Sequence, residues 1–284
     1  AGSDESKNLR RAFATIFSVY RDVAIDSYYG EAAEVINYPI SNTSWAAPRP
    51  TDSDYQVAFS KDVEGNDIYT SDMSAEDKYE AAKKAALGFL EAAGYKVKGG
   101  KVTGAPKGAK TEYEIMIPGD GTGDHPAFMI LTEAKKAFDS IGINLIINDL
   151  TDSTQLWDGL RAGTVDMWTA AWGATPDPDM YQVYYSDAKH KGANPGGSAY
   201  QYGIMDEELD QLIMDARESL DQEYRKTVYK AALDKVIDWA CEIPNYQRQD
   251  AIIFSEERVN TSTITPDITP FYKWFAEINN MEMK

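Results

Sequence analysis

The chain carries a single cysteine, Cys241, in the segment DWACEIP. One thiol cannot close an internal disulfide, and with only two histidines it cannot complete a zinc site. Cys241 is therefore expected to be reduced, poorly accessible and not catalytic, since a free cysteine usually packs as a small apolar residue. Basic residues are also scarce: 28 Lys and Arg face 46 Asp and Glu, a net charge of −18. Phosphate binding needs a basic face, so the charge argues against nucleic acid as a partner and against adhesion to anionic lipid. No apolar run of about eighteen residues is present, which excludes a spanning helix of the usual kind. No signal peptide is visible. The opening AGSDESK reads as a processing boundary, so the chain is expected to be a piece of a longer one. No nucleophile elbow, phosphate loop or dinucleotide fingerprint occurs. GDGTGD lacks the glycine spacing of the last, and it fits no EF-hand either. His125 and His190 have no partner at metal spacing, so no metal and no cofactor are expected. A pair of carboxylates could still serve a hydrolase, at a separation that sequence does not reveal.

What remains is a chain of 284 residues, 43% hydrophobic, able to bury a substantial core. Apolar residues at three- and four-residue steps predict helices over 8–30, 73–93, 126–140, 206–219 and 222–240, with a short one over 153–162. A long irregular tract over 31–72 is expected to run over the surface. YKVKGGKV predicts a hairpin turning at Gly99-Gly100. Strands are predicted at 113–118, at 143–147 with both faces buried, at 164–172, and at 242–247 and 251–254. The order strand, helix, strand, helix, strand over 113–172 predicts an α/β fold with a parallel sheet and right-handed crossovers. A loop is predicted over 189–203, by composition.

The stretch 164–179, TVDMWTAAWGATPDPD, holds the strongest candidate for function. Alternation puts Val165, Met167 and Thr169 on one face and Asp166, Trp168 and Ala170 on the other. The strand then meets Trp172, Gly173 and an Asp-Pro turn, the layout of a ligand-facing strand end in an open α/β sheet. Trp172 is expected at the C-terminal end of a central parallel strand, partly exposed at a concave surface. A buried strand with a capped turn has the same residue pattern. Six Trp and eighteen Tyr are many. Trp168, Trp172, Tyr181, Tyr184, Tyr185, Tyr200, Tyr202 and Tyr246 crowd the C-terminal half, and such side chains suit binding more than chemistry.

The order of motifs resembles the C-terminal half of the family 5 extracellular solute-binding proteins, the peptide-binding components of ABC importers. The resemblance is carried by NLRRAFATIFSVYRDVAID, by YEAAKKAALGFLEAAGYKVKGGKV, by AFDSIGINLIIND, by LRAGTVDMWTAAWGATPDPD, and by DEELDQLIMDARESLDQEYRKTVYKAALDKVIDWACEIPNYQRQ, in that order. It implies a periplasmic-binding-protein-like class II fold, of which residues 1–254 form the C-terminal lobe. The tail 255–284 would return to a first lobe that is absent here. It implies a non-enzymatic role in capturing peptides or other small solutes, with importer permease subunits as partners. The location would be the periplasm or the extracellular face of the membrane, with a lipid anchor on a missing N-terminal segment. The implied ligand-binding residues are Trp172 and Gly173, at the cleft edge, Thr169 on the strand, and Tyr246 and Arg248 beyond the last helix. Peptide binders of the family commonly place an Asp a few residues after the Trp to hold the ligand's α-amine. Here the run is one residue shorter, and Thr175 stands near that place. Sugars and metal chelates are bound by relatives, so a non-peptide solute is the alternative.

Overall fold

The computed structural model describes residues 1–190, 198–249, 251–268 and 272–284. Residues 191–197, within the loop expected over 189–203, lie outside the described residues, as do Asp250, residues 269–271 and the side chains of Ala24 and Tyr200. Helix α1 (Asp4–Val19) starts where the Ser3 hydroxyl accepts from the Ser6 amide, with Asp4 and Glu5 in the positive first turn. It does not continue to residue 30 as expected. Tyr20 interrupts it, and α2 (Arg21–Ala24), a π-helical turn (Ile25–Tyr29) and a 3-10 turn (Gly30–Ala32) follow. The cause is tertiary: buried Arg21 donates to Ser18 O (3.1 Å), Ile36 O (2.8 Å) and Pro244 O (2.9 Å), drawing three segments together. Short strand β1 (Ala33–Val35) opens the otherwise irregular tract.

Helix α3 (Ala75–Ala92) begins in a capping box between Ser74 and Asp77. The hairpin β2 (Lys96–Lys98) and β3 (Lys101–Gly104) turns at Gly99 and Gly100, both at positive φ, as a tight two-residue turn requires. Then come β4 (Glu112–Ile117), α4 (Pro126–Ser140), β5 (Asn144–Asp149), α5 (Thr154–Ala162) and β6 (Met167–Trp168). These three strands form a parallel sheet in the order β5-β4-β6, as the alternation predicts. Phe13, Ile16 and Phe17 of α1 and Phe138 of α4 pack on one face with Ile115 and Ile117. Leu156 and Leu160 of α5 pack on the other beneath Met116, Val165 and Trp168.

Two expectations about this sheet fail. β5 is not buried on both faces: Ile146 is 40% exposed, because α5 covers only part of the outer face and β5 is an edge. β6 spans two residues rather than nine. Val165 packs with Trp168 rather than with Met167, so the alternation does not extend upstream of the ladder.

Short helices α6 (Tyr181–Tyr184) and α7 (Ala199–Tyr202) lead to α8 (Glu207–Glu218) and α9 (Gln222–Trp239). Asp206 and Asp221 cap the last two. Their apolar faces enclose a second core with Tyr184, Leu209, Ile213, Tyr229, Leu233 and Trp239. Strand β7 (Tyr246–Arg248) pairs antiparallel with β1. The strand expected over 242–247 is thus shifted. Residues 251–254 form no ladder, and Ile253 is 95% exposed. Beyond them the tail holds 3-10 turns and an aromatic contact between Phe254 and Trp274.

Candidate functional site

β6 ends as Thr169 gives its amide to Met116 O at 2.9 Å, and the chain then leaves the sheet. Trp172 lies four residues past the strand and is 57% exposed. Its strand is an edge of the sheet, not the central one expected, because β4 takes the middle place between β5 and β6. The space beside Gly173 is open: a Cβ built there would meet nothing within 4 Å. The Thr169 hydroxyl is enclosed without a hydrogen-bond partner among the described residues. Thr175 spends its hydroxyl proton on Asp177 O at 2.6 Å. Asp177 is held by Arg225, whose Nη2 reaches both carboxylate oxygens at 2.9 Å, and Asp179 pairs with Arg217 at 3.3 Å. Both acidic residues of the turn therefore anchor the loop to α8 and α9, and the charge of Asp177 is balanced by Arg225.

From Trp168 at the end of β6 runs a ladder of rings. Trp168 stacks on Tyr202 (5.7 Å, 16°), and Tyr202 on Tyr184 (6.0 Å, 24°). The Tyr184 hydroxyl donates to Glu242 Oε2 at 2.6 Å. Burial pushes the Tyr202 hydroxyl above its ordinary range, and the charge of Glu242 adds to the shift. Burial pushes the Glu242 carboxyl above its ordinary range, opposed by the two tyrosine hydroxyls. Burial and the adjacent carboxylate push the Tyr184 hydroxyl well above its own. Sequence reasoning passed over Glu242. Its one local signal is a charged residue set between Cys241 and Ile243-Pro244 just after a buried helix end. Cys241 beside it is free, and burial, then the charge of Glu242, push its thiol up to about 12. It is protonated at neutral pH and a poor nucleophile.

Tyr246 and Arg248 lie on β7, opposite Val35 and Ala33. The Tyr246 ring is 5.2 Å from that of Tyr29 on the π-helical turn, and Tyr29 in turn meets Tyr28 at 4.9 Å. Arg248 is exposed. The six residues singled out from sequence thus form two groups: Thr169, Trp172, Gly173 and Thr175 after β6, and Tyr246 and Arg248 on β7. Glu242 precedes β7 in the chain and accepts from Tyr184, which stacks on Tyr202.

Other chemistry is locally satisfied. Among the described residues no three His, Cys, Asp or Glu side chains are grouped to hold a metal ion. His125 Nδ1 accepts from the Ala127 amide at 3.1 Å and caps α4. The GDGTGD loop delivers it there. Asp149 Oδ2 accepts from Gly123 N at 2.8 Å, and Gly121, at φ +69°, passes so near Thr151 that a Cβ would lie 2.5 Å from its methyl. A surface hollow of about 480 Å3 lies away from Trp172, at the start of β4, where Lys110 and Asp166 pair at 2.7 Å.

Residues 4–194 match the family of bacterial extracellular solute-binding proteins, family 5, middle region. The chain belongs to this family. No curated protein matches the chain. Among solved structures, it is similar to the oligopeptide-binding protein AppA from Bacillus subtilis in complex with a nonapeptide. The TM-score is 0.63 at 20% identity, over 85% of this chain and 42% of AppA. NikZ from Campylobacter jejuni in complex with Ni(L-His) aligns at TM-score 0.60 and 20% identity, over 85% and 41%. The oligopeptide-binding protein from Thermus thermophilus, complexed with a pentapeptide, aligns at 0.60 and 16%, over 85% and 38%. The fold is therefore the class II periplasmic-binding-protein-like α/β fold, and the chain spans about two fifths of the length of these solved neighbours.

Proposed function

We propose that this chain is the C-terminal lobe of the solute-binding component of an ABC importer, and that it captures extracellular peptides. The observation that carries the reading is Trp172, exposed beside an open Gly173 on a loop that Asp177 and Asp179 pin to two helices. A large aromatic held on a fixed loop at the C-terminal end of a parallel sheet is suited to cover an extended ligand. In this reading Trp172, Gly173, Thr169 and Thr175 form one strip of the cleft wall, and Tyr246 and Arg248 another. Residues 1–254 form the lobe. The tail 255–284, whose Phe275, Ile278 and Met283 are exposed, packs on the first lobe of the whole protein. Permease subunits are the partners, and a lipid anchor on a preceding segment holds the receptor at the membrane.

A second reading, a non-peptide solute such as a metal chelate, is favoured by Thr175. Its place is where peptide binders of the resemblance carry Asp, and its hydroxyl proton is already committed. NikZ, bound to Ni(L-His), shares the fold. A thermal-shift screen of the protein carrying both lobes separates the two. Stabilisation by peptides with free α-amines supports the first; stabilisation by nickel–histidine and not by peptides supports the second. Turnover of any peptide or glycoside would instead favour a hydrolase.

A further inference from the structure

After Thr169 the chain leaves the sheet, and among the described residues no backbone-to-backbone hydrogen bond reaches 170–178. Trp172 stands between two fixed points. One is the Thr169 amide on Met116 O. The other is Asp177, the first charged side chain after Thr169, whose two oxygens each lie 2.9 Å from Arg225 Nη2. An ion pair between two exposed side chains is worth little, because both must be ordered when it forms. Here the cation is ordered without the anion. Arg225 Nε donates to Ala216 O at 2.8 Å, near the end of α8, and Nη2 reaches the Tyr229 hydroxyl at 2.9 Å. The guanidinium lies 5.3 Å from the Trp45 ring centre and 5.4 Å from that of Tyr229, both of the second core. The Arg225 side chain is 17% exposed and that of Asp177 57%, so the carboxylate is the end with freedom to lose. Asp177 also transmits the hold. Pro176 and Pro178 flank it, and each proline fixes its own φ and restricts the residue before it. The Thr175 hydroxyl donates to Asp177 O at 2.6 Å. Residues 175–178 thus move as one piece, and Trp172 lies three residues upstream.

We propose that Arg225 is the positioning residue for Trp172, acting through the Asp177 carboxylate. The importance of that position rests on the reading of Trp172 as a ligand-facing group; the positioning itself does not. Asp179 has a different task. It accepts from the Tyr181 amide at 3.0 Å, where α6 starts, and its partner Arg217 lies over the Tyr181 ring at 4.2 Å. A wall residue held in place before the ligand arrives has less freedom to lose on binding. Because Arg225 belongs with the second core and Thr169 with the sheet, the place of Trp172 is set by how those two parts meet.

The test reads the backbone amide of Gly173 in the ligand-free chain by NMR relaxation. Its order parameter is expected near the rigid-backbone value of about 0.85 in wild type and below about 0.6 in Asp177→Ala. That variant removes an exposed carboxylate, and the signals of the second core should stay in place. Arg225→Leu is expected to loosen Gly173 as much, and the double variant no more than either single one, since all three break one contact. Asp177→Glu keeps a carboxylate and should lie nearer to wild type than Asp177→Ala. Arg217→Leu breaks the neighbouring ion pair and is expected to leave Gly173 near its wild-type value. Where Arg225→Leu does not fold, the two Asp177 variants decide alone. Wild-type order in Asp177→Ala overturns the proposal. So does Arg217→Leu loosening Gly173 as much as Asp177→Ala, or a double variant that loosens it by the sum of the two singles. Loosened Gly173 with unchanged solute affinity, in Asp177→Ala of the protein carrying both lobes, would support the positioning and defeat the ligand reading.

Discussion

Tyr184 donates its hydroxyl proton to Glu242 across 2.6 Å, joining residues 58 positions apart in the chain. The pair sets a pH dependence whose sign follows from burial. The folded-state pKa of Glu242 lies above its ordinary value, so the native state binds its proton more tightly than the unfolded chain does. Stability from this group is then greatest below the unfolded pKa, about 4.3, and falls as pH rises toward the folded value. The groups facing it are Tyr184, Tyr202 and Cys241, none of which is ionised there. Glu242→Gln removes this dependence. Denaturant titrations of both proteins should show wild type losing ground to the variant as pH rises from about 4 to about 7, across the unfolded carboxyl's range and above it. A constant difference across that range would contradict the assignment.

Arg21 is the joint of the α1 end, the tract after β1 and Pro244. Its guanidinium is buried among carbonyl oxygens, and burial lowers its pKa to about 10, leaving it charged at neutral pH. Arg21→Leu would leave the Ile36 and Pro244 carbonyls without this donor and should cost about 3 kcal/mol, given about 1–3 kcal/mol for each buried group left unpaired. Urea unfolding measures the loss. A cost within about 0.5 kcal/mol, the range of ordinary surface changes, would show that the joint is dispensable.

His125 caps α4 with a ring nitrogen, a poorer fit than a short polar side chain. His125→Asn should stabilise the chain by a few tenths to about 1 kcal/mol, and His125→Ala should destabilise it, by the usual worth of an N-cap. Thermal melts of the two variants check the order. The reverse order would mean that the imidazole is held for another reason.

The sheet could be read from the sequence because hydrophobic periodicity switches between helix and strand over 113–172, and each element ends in local turn chemistry. The capping box at Ser74 and the Gly99-Gly100 turn are local in the same way. β6 could not be measured so, since its length depends on where β4 stops offering a partner, at Met116 O. The break after Val19 is equally invisible, because Arg21 finds its acceptors as far away as Pro244. The exposure of Trp172 was legible from its place between a strand and a glycine turn; the edge position of its strand was not. Glu242 was missed because Tyr184 reaches it through the fold alone, and no spacing along the chain joins them.

The central claim is that this chain supplies one wall of a two-lobed cleft. A closing cleft buries most of its ligand and excludes water from the polar contacts. One wall offers roughly half of that surface while the orientational cost of binding remains. If the whole receptor binds at about micromolar strength, near −8 kcal/mol, the chain alone should fold yet lose several kcal/mol of that affinity. Calorimetry of this chain and of the protein carrying both lobes, against one peptide library, measures it directly. The account predicts heat of binding from the two-lobed protein and none of useful strength from the chain. Equal affinities would place the whole site within these 284 residues and contradict the two-lobed reading.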